Sequence, residues 1–262
     1  MANQREHPRR ATPRRATVLR TERLSPELVR VIFTGPDIET LPELVHTDHY
    51  IKILFGEVTR TYTIRALDRQ RNEMAVDFVV HGTAGLAGPW AAAARPGDEI
   101  EFRGPGGAWS PDPDADLHLL VGDEAAVPAI AAALERLPDD AAAEVFIEVA
   151  GPASRIDLPT TSATTVHWVY RGDRHPGLPL AQAVQECRWP AEGLCAFVHG
   201  NADMIKDLRR FLFVELGVPR EQVSISGYWR TGLTEDDWQA SKREFVAAME
   251  RDEQSLAADQ RD

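Results

Sequence analysis

Cysteine is scarce in this chain. There are two in 262 residues, Cys187 and Cys195. They form no C-x-x-C pair and are too few to hold an iron–sulfur cluster. Such sparing thiol use fits a reducing, cytoplasmic compartment, although spacing alone leaves a single disulfide open. Lysine is also rare, with Lys52, Lys206 and Lys242 making up the full set. No apolar run approaches the roughly 18 residues of a membrane span, so no membrane insertion is expected. The Arg-rich start, MANQREHPRRATPRRATVLR, lacks an apolar segment and reads as a flexible tail over residues 1–15, not a secretory signal. The eight His show no H-E-x-x-H spacing, and no metal site is expected. A G-x-G-x-x-G fingerprint is missing as well.

Charge is plentiful and mostly acidic, with a net value of −12. Residues 1–23 carry seven Arg against two Glu, so the rest of the chain is more acidic still. An acidic body argues against nucleic acid as a partner. An anionic ligand has to be met by a local basic cluster.

Two domains are expected, 1–112 and 113–262. In the first, ATVLRTERL, LVRVIFTG, HYIKILF, TRTYTIR, EMAVDFVVH and DEIEFRG read as six short strands closing an antiparallel barrel. The helical stretch LAGPWAAAARPGD interrupts the last two. The Pro/Asp segment 110–116 reads as the linker. Beyond it, the apolar runs LHLLVG, EVFIEVA, TVHWVY, LCAFVHG and QVSISG alternate with helical segments, the pattern of a five-stranded parallel sheet covered on both faces. The segment TEDDWQASKREFVAAMERDEQ reads as an amphipathic helix. Thr234 and Asp237 form a weak capping box, and Trp238, Phe245 and Met249 lie on one face.

The chemistry concentrates in a few stretches. Arg60 and Tyr62 in RTYTIR share a strand face. A guanidinium can grip a pyrophosphate bidentately, a phenol can stack on an isoalloxazine, and Thr63 can hydrogen-bond a flavin ring nitrogen. Taken alone, the same residues also suit an exposed strand with cross-strand ion pairs. In VVHGTAGLAGPWA, small residues precede a helix start, where free N–H groups attract anions. His81 ends the preceding strand and reads either as a cofactor contact or as a partly buried structural histidine.

These motifs resemble the siderophore-interacting proteins, a family of ferric-siderophore reductases within the ferredoxin reductase superfamily. The resemblance rests on RTYTIR (60–65), DFVVHG…AGPWA (77–91), GDEAAVPAI (122–130) and GYWRTG (227–232). It implies a β + α/β chain: a six-stranded antiparallel barrel binding FAD, then a five-stranded parallel α/β domain resembling an NAD(P)H-binding domain. It places Arg60, Tyr62 and Thr63 on the flavin strand, and His81, Gly82, Ala87, Gly88, Pro89, Trp90 and Ala91 at the phosphate turn and helix. Gly122, Asp123 and Trp229 fall at carboxyl ends of parallel strands, where nucleotides bind. The chain departs from the family pattern at Ala125, commonly Thr or Ser, and at Asn201, commonly Glu.

The implied activity is reduction of siderophore-bound Fe(III) to Fe(II) by a monomer, with NAD(P)H or reduced ferredoxin as donor. Lys52 and Arg230 are the substrate-site candidates for an anionic ferric siderophore. Lys52 also reads as simply solvent-facing. Tyr228 and Trp229 read equally as flanking the flavin or nicotinamide and as packing on the last helix. A flavoprotein reductase with another acceptor and a non-enzymatic siderophore-binding protein are the competing expectations.

Overall fold

The computed structural model describes residues 12–81 and 85–259. Its first half is a closed antiparallel barrel of β1 (Arg14–Ser25), β2 (Leu28–Thr34), β3 (Tyr50–Phe55), β4 (Val58–Asp68), β5 (Glu73–Val79) and β6 (Glu99–Gly106), in the order β1-β2-β5-β4-β3-β6. Alternation builds it. Val31, Phe33, Ile51, Ile53, Met74, Val76, Phe78 and Phe102 turn inward and are all but fully buried. Closure comes from β1 pairing with β6, which leaves no open edge. That pairing corrects the expected tail. Residues 1–11 lie outside the described part, but Arg14 and Arg15 already pair with Phe102 and Glu101, because β6 needs them to close the barrel.

Two short helices flank the barrel, α1 (Pro36–Glu39) and α2 (Ala87–Ala93). Ala87 and Ala91 of α2 are buried against the core, and Trp90 sits between Phe33, Phe55 and Phe78 with ring centroids 5.7–6.2 Å away. Helix α2 is therefore the barrel's plug.

The second half is a parallel sheet of β7 (Leu117–Asp123), β8 (Ala143–Val149), β9 (Thr164–Tyr170), β10 (Leu194–Asn201) and β11 (Val223–Trp229), ordered β11-β10-β7-β8-β9. Every residue of β10 is buried, as a central parallel strand covered on both faces requires. The covering helices are α3 (Val127–Leu134), α4 (Leu178–Gln185), α5 (Ala202–Arg210) and α6 (Glu235–Asp259). The expected single helix after β10 changes pitch. It continues as a π-helical stretch, Phe211–Glu215, that presents Phe213 to the guanidinium groups of Arg209 and Arg220 at 5.3 and 4.5 Å. Those arginines also clasp buried Glu253 and so dock the far half of α6. Cys187 is exposed and Cys195 buried, both free thiols, which closes the disulfide question. No helix among the described residues is long and apolar enough to cross a membrane.

Connections run from β7 to β8 and β9 on one side, then to β10 on the other. The direction therefore switches between β7 and β10, and the crevice outside their carboxyl ends is where open α/β sheets bind ligands.

Candidate functional site

Strand β4 faces the second domain along much of its length. Arg65 forks onto Glu135, just beyond α3, at 2.7 and 2.8 Å. The buried Tyr228 hydroxyl of β11 faces Thr63, and burial raises its pKa. Arg60 reaches the first turn of α6. Its two terminal nitrogens donate to the two oxygens of Asp236 at 3.1 Å each, and Nε lies 3.3 Å from Glu235 Oε2. Glu235 Oε1 accepts the Thr61 N–H at 3.4 Å. Burial raises the Glu235 pKa, while Arg60 and the Thr61 N–H pull it back.

Arg60 and Tyr62 do share a face, opposite Ile53 and Ile51 of β3. Tyr62 is more of a core residue than its position in the motif suggests. Its ring lies 4.4 Å from that of Phe78, and burial raises its phenol pKa. Thr63, on the opposite face, is buried at the domain boundary. His81 is exposed where β5 ends, and Gly82 lies outside the described residues.

Within α2, the expected phosphate helix, Ala87 and Ala91 point into the barrel and Trp90 is committed to the aromatic cluster. Gly88 is required by packing, since a Cβ there would stand 2.9 Å from the Val79 carbonyl oxygen. Pro89 occupies the first turn, which has no side-chain cap.

At the switch point, Asp123 holds two strands and a loop together. Oδ1 accepts the Ala125 N–H, and Oδ2 accepts the Asn201 N–H and the Trp229 indole N–H at 2.9 and 2.8 Å. Its side chain is therefore an anchor for Trp229 and not an open ligand. Gly200 makes room for it. At φ 138° a Cβ there would fall 2.5 Å from Oδ2. Gly122 serves the same close packing, its hydrogen facing the Ala126 methyl group. Asn201, where the family pattern has Glu, accepts the Asp203 N–H as the cap of α5 and donates to Thr231 Oγ1. A glutamate could not make that donation.

Burial, followed by the neighbouring Glu124, pushes the Asp123 pKa up to about 7, against the pull of the Trp229 and Ala125 N–H groups. The folded state thus binds a proton that the unfolded chain releases near pH 4. The contribution of Asp123 to stability falls as pH rises from about 4 to about 7, then levels off. Trp229 emission is expected to titrate with a midpoint near 7, and Trp229→Phe should remove that component. A pH-independent Trp229 signal would contradict the coupling.

Beside it lies a network that sequence reasoning missed. Arg171 pairs with Glu124 and with fully buried Glu148, whose carboxylate also accepts the Gly177 N–H. The only sequence signal was GDE, read for its glycine and aspartate. Another omission is His199, stacked 3.9 Å from Phe197 with Nε2 on Ser224 Oγ. Burial and Lys242 push its pKa down to about 3, so it stays neutral.

The substrate candidates differ in their surroundings. Lys52 is exposed on β3, paired with Thr61 on one side and Arg103 of β6 on the other. Arg230 lies 3.3 Å from Asp203 and over the Phe245 ring at 4.7 Å.

Sequence and structure comparisons agree with this geometry. Residues 17–58 and 56–109 match the siderophore-interacting FAD-binding domain, and residues 115–232 match the siderophore-interacting protein domain. An uncharacterised Mycobacterium tuberculosis protein is 41% identical over 88% of this chain and 95% of its own length. The ferric vibriobactin reductase ViuB of Vibrio cholerae is 33% identical over 87% of this chain and 93% of its own. The crystal structure of the siderophore-interacting protein SipS from Aeromonas hydrophila superposes with a TM-score of 0.82 at 28% identity, covering 90% of this chain and 98% of that one. The Plasmodium falciparum ferredoxin-NADP+ reductase shares the fold, with a TM-score of 0.65 at 11% identity, covering 82% of this chain and 96% of that one. The barrel with its β4 motif, the parallel sheet and these matches together show that the chain belongs to the siderophore-interacting protein family, with a ferredoxin reductase-like fold.

Proposed function

We propose that this protein is an FAD-dependent ferric-siderophore reductase that releases iron as Fe(II). The observation that carries the reading is Arg60. The strand of a matched FAD-binding domain presents a guanidinium to the second domain, and it already forks onto the two oxygens of a carboxylate. A phosphate offers the same pair of oxygens, so the donor set fits the pyrophosphate of FAD. Likeness to ferric vibriobactin reductase over most of both chains supports the substrate class.

Bound FAD would supply two-electron oxidation of a nicotinamide and one-electron delivery to iron. The protein's residues bind and orient. Arg60 would hold the pyrophosphate, and the first turn of α2 (Ala87, Gly88, Pro89) and the exposed His81 are the further candidates, while Gly82 lies outside the described residues. Thr63, at the domain boundary, would meet the ring, while Tyr62 supports the strand from the barrel side against Phe78. Asp123 fixes Trp229, and Gly122 keeps α3 close, on the side where NAD(P)H would enter. Reduced ferredoxin is the other candidate donor.

Fe(III) in a siderophore is held by hard, anionic oxygen donors, and the acidic body of the protein repels such a complex. Exposed Lys52 beside Arg103 is a local positive site for it. Arg230 is paired with Asp203 and would have to leave it to bind an anionic complex. Lys52→Ala should raise KM for a trianionic ferric catecholate by about tenfold and leave a neutral hydroxamate complex nearly unchanged, as expected for loss of one charge-assisted contact. Equal KM changes for both would remove Lys52 from the site. The reading as a whole is tested by steady-state reduction of ferric catecholate with an Fe(II) trap, supplying NADH, NADPH and reduced ferredoxin in parallel. Fe(II) with at least one donor is expected, and none with any of them would refute the activity.

A further inference from the structure

The first turn of α6 contains more acid than its own cap needs. Thr234 Oγ1 accepts the Asp237 N–H and its hydroxyl donates to Asp237 Oδ2, so cap and third residue satisfy each other in a side-chain variant of the capping box. Glu235 and Asp236 are left over, and both lie on Arg60. Acids favour helix N-termini in general, but that preference is met by exposure to water. It does not explain why two carboxylates from one domain converge on a guanidinium of the other that is only 12% exposed. All three guanidinium nitrogens are engaged: Nε by Glu235, one terminal nitrogen by Asp236 and the Thr59 carbonyl, the other by Asp236. The N–H of Thr61 is taken too. Two adjacent carboxylates therefore present to β4 roughly the charge and the paired oxygens of a pyrophosphate.

The rest of the helix is fixed elsewhere. Trp238 and Met249 are buried, and Glu253 is clasped by Arg209 and Arg220. Upstream, Arg230 and Thr231 are tied to Asp203 and Asn201, and Gly232 with φ 79° bends the chain into Thr234. The first turn of α6 is thus a tip, held at its base and resting on the barrel through charge.

We propose that Glu235 and Asp236 are built-in competitors for the diphosphate of FAD and so set the protein's flavin affinity and selectivity. In the flavin-free protein the α6 tip closes on Arg60, and an incoming flavin diphosphate has to displace it. The inference rests on the reading of Arg60 as the pyrophosphate ligand. It follows that riboflavin, which carries no phosphate, does not contest Arg60.

The test is a flavin-fluorescence titration of the flavin-free, full-length protein with FAD and with riboflavin. The nearly isosteric variant Glu235→Gln/Asp236→Asn should bind FAD about fivefold tighter than wild type and riboflavin equally well, a modest change in keeping with a partly exposed ion-pair cluster. Unchanged or weaker FAD binding would overturn the proposal, provided that Arg60→Ala still weakens FAD binding. Equal tightening for riboflavin would also overturn it, because the tip would then be a steric cover. Should Arg60→Ala keep wild-type FAD affinity, the assignment of Arg60 falls and the proposal falls with it. Hydrogen exchange in wild type decides if the double variant fails to fold. The amides of Asp237 and Trp238, which donate to Thr234 Oγ1 and to the Thr234 carbonyl, should exchange faster once FAD is added, and unchanged or slower exchange counts against displacement.

Discussion

Arg60→Ala should weaken FAD binding about thirtyfold. Two charge-assisted hydrogen bonds to phosphate oxygens contribute on the order of 3 kcal/mol. Displacing Glu235 and Asp236 returns about 1 kcal/mol of that, leaving roughly 2 kcal/mol, or about thirtyfold in Kd. Tyr62 makes an instructive comparison. Tyr62→Ala would open a cavity beside Phe78 and destabilise the barrel, so a loss of flavin there would not report on stacking. Tyr62→Phe keeps the ring and should change FAD affinity by less than about threefold, since no described hydrogen bond holds its hydroxyl. Equilibrium titration of both variants checks the ranking. Wild-type affinity in Arg60→Ala would count against the pyrophosphate role.

A second large effect is expected away from the flavin strand. Glu148→Ala should destabilise the protein by about 3–5 kcal/mol, the usual result of removing one partner from a buried ion pair. Glu148 is fully buried, accepts the Gly177 N–H and pairs with Arg171. Its loss leaves an unpaired N–H at the entry to α4 and a guanidinium shared only with Glu124. At about 2–4 °C per kcal/mol for a chain of this size, Tm should drop by roughly 10 °C. A shift under about 2 °C would show that Glu124 and water replace Glu148 fully.

Much of the architecture was legible because it is local. The alternation in HYIKILF and TRTYTIR, the apolar runs LHLLVG and LCAFVHG and the cap at Thr234 each follow from a few neighbouring residues. Sheet order was not legible. The return of β10 to the side of β7 depends on contacts between distant segments.

For the candidate site residues the sequence shows residue type and not direction. Trp90 stands in the motif expected to hold phosphate, yet its ring plugs the barrel. Asp123 stands at the carboxyl end of a central strand, yet three N–H groups turn its carboxylate inward. Arg60 was recognisable as a ligand for an oxyanion. Nothing near it in sequence revealed that Asp236, 176 residues away, would meet it first. Asn201 looked like a departure from the family pattern, and the structure gives it a task, the bond to Thr231 beneath the α6 tip.

Electrons are expected to pass from bound flavin to siderophore-held iron. Anaerobic stopped-flow tests it most directly, with photoreduced, FAD-loaded protein mixed against ferric catecholate and a chelator that reports Fe(II). Recovery of the oxidised flavin absorption band in step with Fe(II) capture is the predicted result. Flavin that stays reduced in the presence of excess ferric siderophore would contradict it.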